Sequence, residues 1–269
     1  MKIRSICLVK NEADVIEECL TAALAWSDRL YIYDGASTDG TWEKVKALAS
    51  DQIIPWRSDS AVFREGLRAL VFLAERHEAR PGDWWCQLNG DEFYVQDPKA
   101  FLARVPAAEH VVWGANLQFY LTPEDVAGPP FTGTFAHDRP RIRYYKAACA
   151  EPRFFRHRDR LQWNDRDAWP RHLGLIHPKV IPFRHYPYRS PKQIQMRLDV
   201  RRDNRARGFE GWDHAKELDW KEKIVPRDGL HLDEGDQNLI IEPEVARQPL
   251  EPPSRRLLKR VLHGLGAWP

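Results

Sequence analysis

The first third of the chain alternates between short apolar runs and longer segments whose apolar residues lie three or four positions apart. Apolar runs of this length predict β-strands, and the helical spacing predicts amphipathic helices. The runs predict five strands, over residues 3–9, 30–33, 52–56, 84–88 and 111–117. The helical spacing predicts three helices, over residues 12–25, 41–49 and 61–77. Strands and helices that alternate in this way form right-handed βαβ units, so we predict an α/β fold with a mostly parallel sheet flanked by helices.

Beyond residue 120 the pattern becomes irregular. Proline and glycine become frequent, which predicts loops. The remaining regular elements are predicted as short strands over 141–146 and 153–157, a basic helix over 191–207 and a short helix over 254–265. The chain therefore divides into a regular half (1–120), an irregular half of the same domain (121–253) and a basic amphipathic tail (254–269).

The composition is that of a globular protein. The chain has 269 residues, of which 43% are hydrophobic and 30% charged, so it is long enough to bury a substantial core. Its net charge of only +2 argues against nucleic acid as a partner. The four cysteines form no Cys-x-x-Cys pair, which favours free thiols in a reducing compartment. No apolar run approaches the roughly 18–20 residues of a membrane span, and we expect a cytoplasmic protein.

Polar and acidic residues follow three of the predicted strands at the point where each strand ends. Asn11 and Glu12 follow the first strand, Asp34 opens the run DGASTDGT after the second, and the run NGDE at 89–92 follows the fourth. Ligands of open α/β sheets bind outside the carboxyl ends of the strands. A carboxylate there can accept a hydrogen bond from a nucleobase or ribose, or hold a hard divalent cation against phosphate oxygens. Glu12 also suits a purely structural role as an acid in the first turn of a helix.

Three sequence segments together resemble the family 2 glycosyltransferases. They read LVKNEADVIEECL, DRLYIYDGASTDGTWE and DWWCQLNGDEFY. In that family an Asn-Glu follows strand one, an Asp-x-x-Ser-x-Asp-Gly-Thr run follows strand two, and an Asp-x-Asp motif follows strand four. The segment HYPYRSPKQIQMR at 185–197 is similar to the second half of a bacterial subgroup. The resemblance implies a GT-A-like, Rossmann-like fold, with a nucleotide-sugar-binding half over 1–120 and an acceptor-side half over 121–253.

The resemblance also implies roles for individual residues. Four residues would contact the nucleotide of the donor: Asn11, Glu12, Asp34 and Arg64. Asp91 and His185, with Asn89 beside them, would hold Mn²⁺ or Mg²⁺ on the donor diphosphate. Asn89 stands where the family has its first Asp, and a neutral amide is a weaker ligand for a hard cation. The metal therefore relies on Asp91, Glu92 and His185, or basic side chains neutralise the diphosphate instead.

The catalytic base is predicted in the segment QWNDRDAWPRH. An inverting transferase needs a group that takes the proton of the acceptor hydroxyl, and in the GT-A architecture that group follows the second metal-side strand. The candidates are Asp165 and Asp167, with His172 behind them. Trp163 and Trp169 suit a sugar site, because aromatic faces pack on the C–H surfaces of sugars. A surface turn explains the same residues nearly as well.

The activity implied by the resemblance is transfer of a sugar from a nucleotide diphosphate to a hydroxyl acceptor, with inversion. The acceptor would be a glycan or a lipid-linked glycan of a bacterial surface. A nucleotidyltransferase has similar acidic residues at the strand ends, but it normally also has a Gly-rich basic loop after strand one. This chain has Lys10–Asn11–Glu12 at that place. A non-catalytic nucleotide- or glycan-binding protein is the other alternative, because of Asn89.

Two basic segments suggest further contacts. Arg197, Arg201 and Arg205 lie four residues apart on one face of the helix predicted over 191–207, which suits a lipid-linked pyrophosphate, a membrane surface or simple solvation. The tail SRRLLKRVLHGL can lie on an anionic bilayer at the inner face of the cell membrane, or pack on the body of the protein.

Overall fold

The computed structural model describes residues 1–208 and 217–269. In these two ranges nine strands form one sheet in the order β3-β2-β1-β4-β7-β6-β8-β5, with β9 beside β7. The strands are β1 (Ile3–Val9), β2 (Arg29–Asp34), β3 (Ile53–Ser58), β4 (Trp84–Asn89), β5 (Glu92–Tyr94), β6 (Val111–Tyr120), β7 (Tyr144–Arg156), β8 (Ile181–His185) and β9 (His231–Leu232).

The helices pack on both faces of this sheet or extend from its edges. They are α1 (Ile16–Leu24), α2 (Thr41–Ala47), α3 (Leu67–Glu75), α4 (Pro98–Leu102), α5 (Pro123–Ala127), α6 (Phe135–Asp138), α7 (Pro191–Ala206), α8 (Pro243–Arg247) and α9 (Pro253–Gly264). No helix among the described residues is long and apolar enough to cross a bilayer.

The predicted fold class is confirmed, with its parallel strands in the first half of the chain. β3, β2, β1 and β4 pair in parallel, as successive βαβ units require. β7 then pairs antiparallel with both β4 and β6, and β8 pairs parallel with β6. The result is one mixed sheet of an α/β fold.

Three predicted elements differ most from the structure. The strands predicted over 141–146 and 153–157 are one continuous strand, β7, because it pairs with β6 along nearly its whole length. α3 begins at Leu67 and not at residue 61. At this point the backbone of Asp165 crosses Gly66 so closely that a Cβ there would lie 2.1 Å from the Asp165 carbonyl oxygen. This tertiary contact, which the local sequence does not encode, accompanies the late start of the helix.

The core lies on both faces of β1, whose side chains alternate between them. Ile3, Cys7 and Val9 pack towards α1 and α2, whereas Ile6 and Leu8 pack towards α3. All four cysteines are free, as predicted.

Strand direction decides where the site lies. β4 and β6 both run antiparallel to β7, so they point the same way, and β8 is parallel to β6. The carboxyl ends of β1, β2, β4 and β8 therefore meet at one edge of the sheet.

Candidate functional site

A cavity of about 240 Å³ opens at this carboxyl edge. The ends of β1 and β4 form its floor, the end of β8 forms one wall, and α7 closes it from above. Its polar lining is contributed by Lys10, Asn11, Glu12, Glu65, Asn89, Asp91, His185, Gln193, Arg197, Arg201 and Asn204. Leu8, Val9 and Phe63 add an apolar side.

Asn11 joins the loops that follow β1 and β2. Its backbone N–H donates to Ser37 Oγ over 2.8 Å, and its Oδ1 accepts from the Thr38 N–H over 2.8 Å. Asn11 has a left-handed backbone with φ of 55°, a conformation that asparagine tolerates better than most residues. The next N–H, of Glu12, donates to Thr41 Oγ1 over 2.8 Å. Hydrogen bonds thus join the loop after β1 to the loop after β2, and they fix the backbone at the floor of the cavity.

Asp34 is fully buried below that floor. Its carboxylate accepts hydrogen bonds from the Ser37 N–H at 3.0 Å, from the Ser37 hydroxyl, and from Ser58 Oγ at 2.7 Å. These bonds tie the loop after β2 to the end of β3. Asp34 does not belong to the lining of the cavity, and its predicted contact with the nucleotide stays a prediction.

Asp91 is a nearly inaccessible carboxylate that lies beside one imidazole and two guanidinium groups. Its Oδ2 lies 3.3 Å from His185 Nε2, 3.4 Å from Arg197 Nη1 and 3.6 Å from Arg189 Nη1. Burial by itself would raise the pKa of Asp91, but His185 and the two guanidinium groups outweigh it and hold that pKa well below its usual range. Asp91 is therefore ionised and aimed at the cavity.

His185 has ring nitrogens that are buried and make no aligned hydrogen bond within the described parts of the chain. It forms, with Asp91 and Glu92, a group whose possible ligand atoms lie within 4.8 Å of one another. Its Nε2 lies 3.3 Å from Asp91 Oδ2, a spacing at which both atoms can bind the same cation. Asp91 and His185 therefore suit a cation that also binds phosphate oxygens.

Glu92 does not suit such a cation, because its acceptor positions are already engaged. Oε1 accepts from Arg153 at 2.7 Å and from Asn89 Nδ2 at 2.8 Å. Oε2 accepts from Arg153 at 3.0 Å and from the Asn89 N–H at 3.0 Å. Four bonds fill a carboxylate. Asn89 in turn accepts from Arg68 through its Oδ1. Both residues therefore hold the loop that carries Asp91 in place. The protein ligands that the site offers to a cation are Asp91 and His185.

Glu12 lies between two guanidinium groups. It pairs with Arg189, and its Oε1 lies 3.1 Å from Arg197 Nη1. Burial raises the pKa of Glu12 to about 7, and the two arginines oppose that shift. Arg189 also bonds Asp14, so it joins the start of α7 to the loop after β1.

The loops after β1 and β2 lie within the segment that matches a known protein family. Residues 6–68, which carry Asn11, Glu12 and the run after β2, match the sequence profile described as glycosyl transferase family 2. Asp91 and His185 lie beyond the matched residues. No curated protein sequence matches the chain significantly.

Solved structures resemble the chain only distantly. S. aureus TarS matches at 17% identity and a TM-score of 0.32, covering 43% of this chain and 21% of that one. Mannosyl-3-phosphoglycerate synthase from Rubrobacter xylanophilus matches at 15% identity and a TM-score of 0.30, covering 48% of this chain and 43% of that one. A 4-diphosphocytidyl-2C-methyl-D-erythritol synthase matches at 11% identity and a TM-score of 0.34, covering 98% and 100%. Similarity at this level does not indicate function.

Three of the predicted residues lie outside the lining of the cavity. Arg64 donates through Nε to the Asp165 carbonyl at 2.9 Å and pairs with its carboxylate. Asp167 accepts from Asn164 Nδ2 at 2.6 Å and from Arg171 at 3.1 Å. Arg64, Asp165 and Asp167 are absent from the lining of the cavity. Their predicted roles in donor binding and catalysis stay predictions.

His172 likewise has a different neighbour. Its ring stacks on Trp268 at the end of the tail, with 4.5 Å between the ring centroids. This contact supports a role in holding the tail, and it does not place the imidazole beside a catalytic carboxylate.

The arginines of α7 are the site residues that sequence reasoning assigned elsewhere. Arg197 and Arg201 line the cavity, although their spacing suggested a face for a lipid-linked pyrophosphate, a membrane or solvent. Burial, with the neighbouring charge of Arg197, lowers the pKa of Arg201. Two cations that close together suit an anionic ligand. Their four-residue spacing was visible in the sequence, but the direction in which that face points was not.

Proposed function

We propose that this chain is a glycosyltransferase that moves a sugar from a nucleoside diphosphate to a hydroxyl acceptor, with inversion. One observation carries the proposal. The segment that matches family 2 contributes Asn11 and Glu12 to a cavity in which Asp91, His185 and Arg197 converge. An ionised carboxylate, an imidazole 3.3 Å from it and guanidinium groups together suit a diphosphate and a divalent cation.

The diphosphate would lie between α7 and the loop after β4. Arg197 and Arg201 would donate to its oxygens, and guanidinium groups bind phosphate oxygens through parallel hydrogen bonds. Mn²⁺ or Mg²⁺, held by Asp91 and His185, would offset the charge that builds on the leaving nucleotide. Two protein ligands are sufficient, because these cations commonly take their other ligands from phosphate and water.

The acceptor would be a glycan or a lipid-linked glycan, and its hydroxyl needs a base. Asp165 and Asp167 remain proposed for that role, but neither lines the cavity. Glu65 does line it, and 45% of its side chain is exposed although it pairs with Arg68. We therefore add Glu65 as a third carboxylate to test, by the effect of Glu65→Gln on turnover with acceptor present.

The test of the proposed function is turnover by Asp91→Asn. This change removes the charge that would hold the cation, so turnover should fall by a factor on the order of 10² or more. His185→Ala should cost less, because water can partly replace one ligand. The measurement is release of nucleoside diphosphate from a panel of nucleotide sugars against Mn²⁺ concentration. Asp159→Asn, whose side chain is 75% exposed, is the matched control.

Different outcomes separate the parts of this proposal. A parent protein that is fully active in excess chelator, together with normal turnover by Asp91→Asn, would exclude the metal site. Arg197→Gln and Arg201→Gln would then be the next variants. Release of pyrophosphate from a nucleoside triphosphate and a sugar phosphate would identify a nucleotidyltransferase instead. Binding of nucleotide sugar without turnover of any acceptor would identify a binding protein.

A further inference from the structure

α9 is attached to the body of the protein through its polar side. Arg256 donates to the Ile176 carbonyl at 2.7 Å and pairs with Glu109 at 2.8 Å. Lys259, one turn later, donates to the Gly174 carbonyl at 2.9 Å. Charged residues of this helix therefore face the protein.

The apolar side of α9 faces solvent. Leu257, Leu258, Val261 and Leu265 are 63%, 56%, 47% and 77% exposed. At 3.6 residues per turn these four residues cover about 100° of the helix surface, on the side opposite Arg256 and Lys259. A helix that packs on its own domain normally buries its apolar stripe. Here the arrangement is reversed, and an exposed apolar stripe of this kind marks an interaction surface.

The charged residues beside the apolar stripe indicate which kind of partner it binds. Arg255 and Arg260 are exposed and, by the same helical geometry, lie on its two flanks. Glu251 pairs with Arg255 and Lys259 but its side chain is buried, and residues 252–269 contain no Asp or Glu. A second copy of the chain would bring like charges together at this face. An anionic bilayer suits both the apolar stripe and the arginines beside it. The apolar side chains can insert at the acyl boundary, and the anionic headgroups can pair with the arginines.

We propose that α9 is an interfacial helix that lies on an anionic lipid bilayer with Leu257, Leu258, Val261 and Leu265 inserted. The polar anchoring of the helix holds this stripe outward before any membrane is met, so little ordering of the helix is needed on binding.

The position of α9 keeps this contact separate from the candidate catalytic site. Its anchors, Glu109, Gly174 and Ile176, lie near the start of β6, whereas the cavity lies at the carboxyl edge of the same sheet. β6 has ten residues at about 3.3 Å each, which separates the two edges. Membrane binding and sugar transfer can therefore fail independently.

The experiment is co-sedimentation of the full chain with vesicles, either of neutral phosphatidylcholine alone or with an added anionic phospholipid. The parent should bind the anionic vesicles, and replacing all four apolar residues with serine should weaken binding at least about 100-fold. Arg255→Gln and Arg260→Gln should each weaken it by about fivefold, with the loss growing smaller as salt is added. Leu232→Ser with Ile240→Ser, at exposed apolar residues outside α9, is the matched control and should bind as the parent does.

Each contrary outcome would overturn the proposal. Absence of parent binding to anionic vesicles would exclude the membrane. Unchanged binding by the four-serine variant, checked as folded by circular dichroism, would exclude α9 as the contact. A parent dimer that becomes monomeric in the four-serine variant, with no vesicle binding by either, would assign the stripe to self-association.

Discussion

At the scale of single residues, the loop after β4 depends on a buried ion pair. Glu92 and Arg153 have side chains that are 1% and 5% exposed, and they meet through two hydrogen bonds. A buried pair of this kind need not stabilise the fold more than an apolar pair would, but removal of one partner leaves an uncompensated charge. Arg153 lies on β7, far along the chain from the loop after β4. Through Glu92 it helps to position Asn89 and Asp91 in that loop.

We expect Arg153→Met to lower the free energy of unfolding by about 3–5 kcal/mol, because Glu92 would stay buried and charged. Adding Glu92→Gln to that variant should recover part of the loss, since the amide can still accept from Asn89. Urea unfolding at pH 7 measures both. Arg153→Lys, which keeps the charge, provides a milder variant if Arg153→Met does not fold. A loss below about 1 kcal/mol for Arg153→Met would contradict this account of the loop.

At the scale of elements, the docking of α9 depends on a histidine that stays neutral. His110 accepts through Nδ1 from the Leu175 N–H at 3.3 Å, and its ring lies 4.8 Å from that of His263. Gly174 packs so closely on His110 that a Cβ would lie 2.3 Å from Nδ1. Burial, followed by the charges of Arg158 and His263, lowers the pKa of His110 to about 3.

The lowered pKa of His110 makes the stability of the folded protein depend on pH. The folded protein resists protonation of His110, whereas the unfolded chain takes up the proton near pH 6.5, so stability is lost as pH falls from 6.5 towards 3. His110→Asn keeps an acceptor for Leu175 but does not titrate. It should reduce the loss of stability between pH 7.5 and 4.5 by on the order of 1–2 kcal/mol, after allowance for partial exposure.

Urea unfolding at the two pH values measures this difference. His77→Asn, at an exposed histidine elsewhere, is the control and should leave the pH dependence unchanged. An identical pH dependence in the parent and in His110→Asn would mean that other groups cause the acid sensitivity. His157 and His263, whose pKa values burial also lowers, would then be tested next.

At the scale of the whole molecule, the cavity exists because distant parts of the chain close on each other. Arg189, at the start of α7, binds Glu12 and Asp14 across about 175 residues of sequence. Arg197 reaches both Glu12 and Asp91. A ligand held between α7 and the loops after β1 and β4 would therefore stabilise the folded protein as a unit.

A screen of nucleoside diphosphates and their sugars should identify such a ligand by a rise in Tm. A ligand at 100 times its Kd adds about 2.7 kcal/mol, which corresponds to a shift of roughly 5–10 °C for a chain of this size. The rise should shrink in chelator and in Arg197→Gln. Arg202→Gln, on the same helix with a 59% exposed side chain, should respond as the parent does. A screen in which no nucleotide raises Tm would contradict the placement of the donor site.

The sequence by itself determined the strand–helix alternation, the parallel sheet and the loops that carry Asn11, Glu12, Asp34 and Asp91. These features depend on local periodicity and on the rule that ligands meet the carboxyl ends of strands. The resemblance to the family 2 profile also depends on residues within two of those loops.

Only the tertiary structure decided which of these residues face the cavity. Asp34 and Glu92 have the right chemistry, but hydrogen bonds occupy them. Some come from neighbours three residues away, whereas those from Ser58 and Arg153 come from distant strands that no local pattern encodes. Arg197 and Arg201 enter the cavity because of the direction in which α7 crosses the sheet, which depends on long-range packing. The outward apolar stripe of α9 has the same origin. The sequence shows an amphipathic helix, but which side meets the protein depends on the polar partners, Glu109, Gly174 and Ile176, that the fold presents to it.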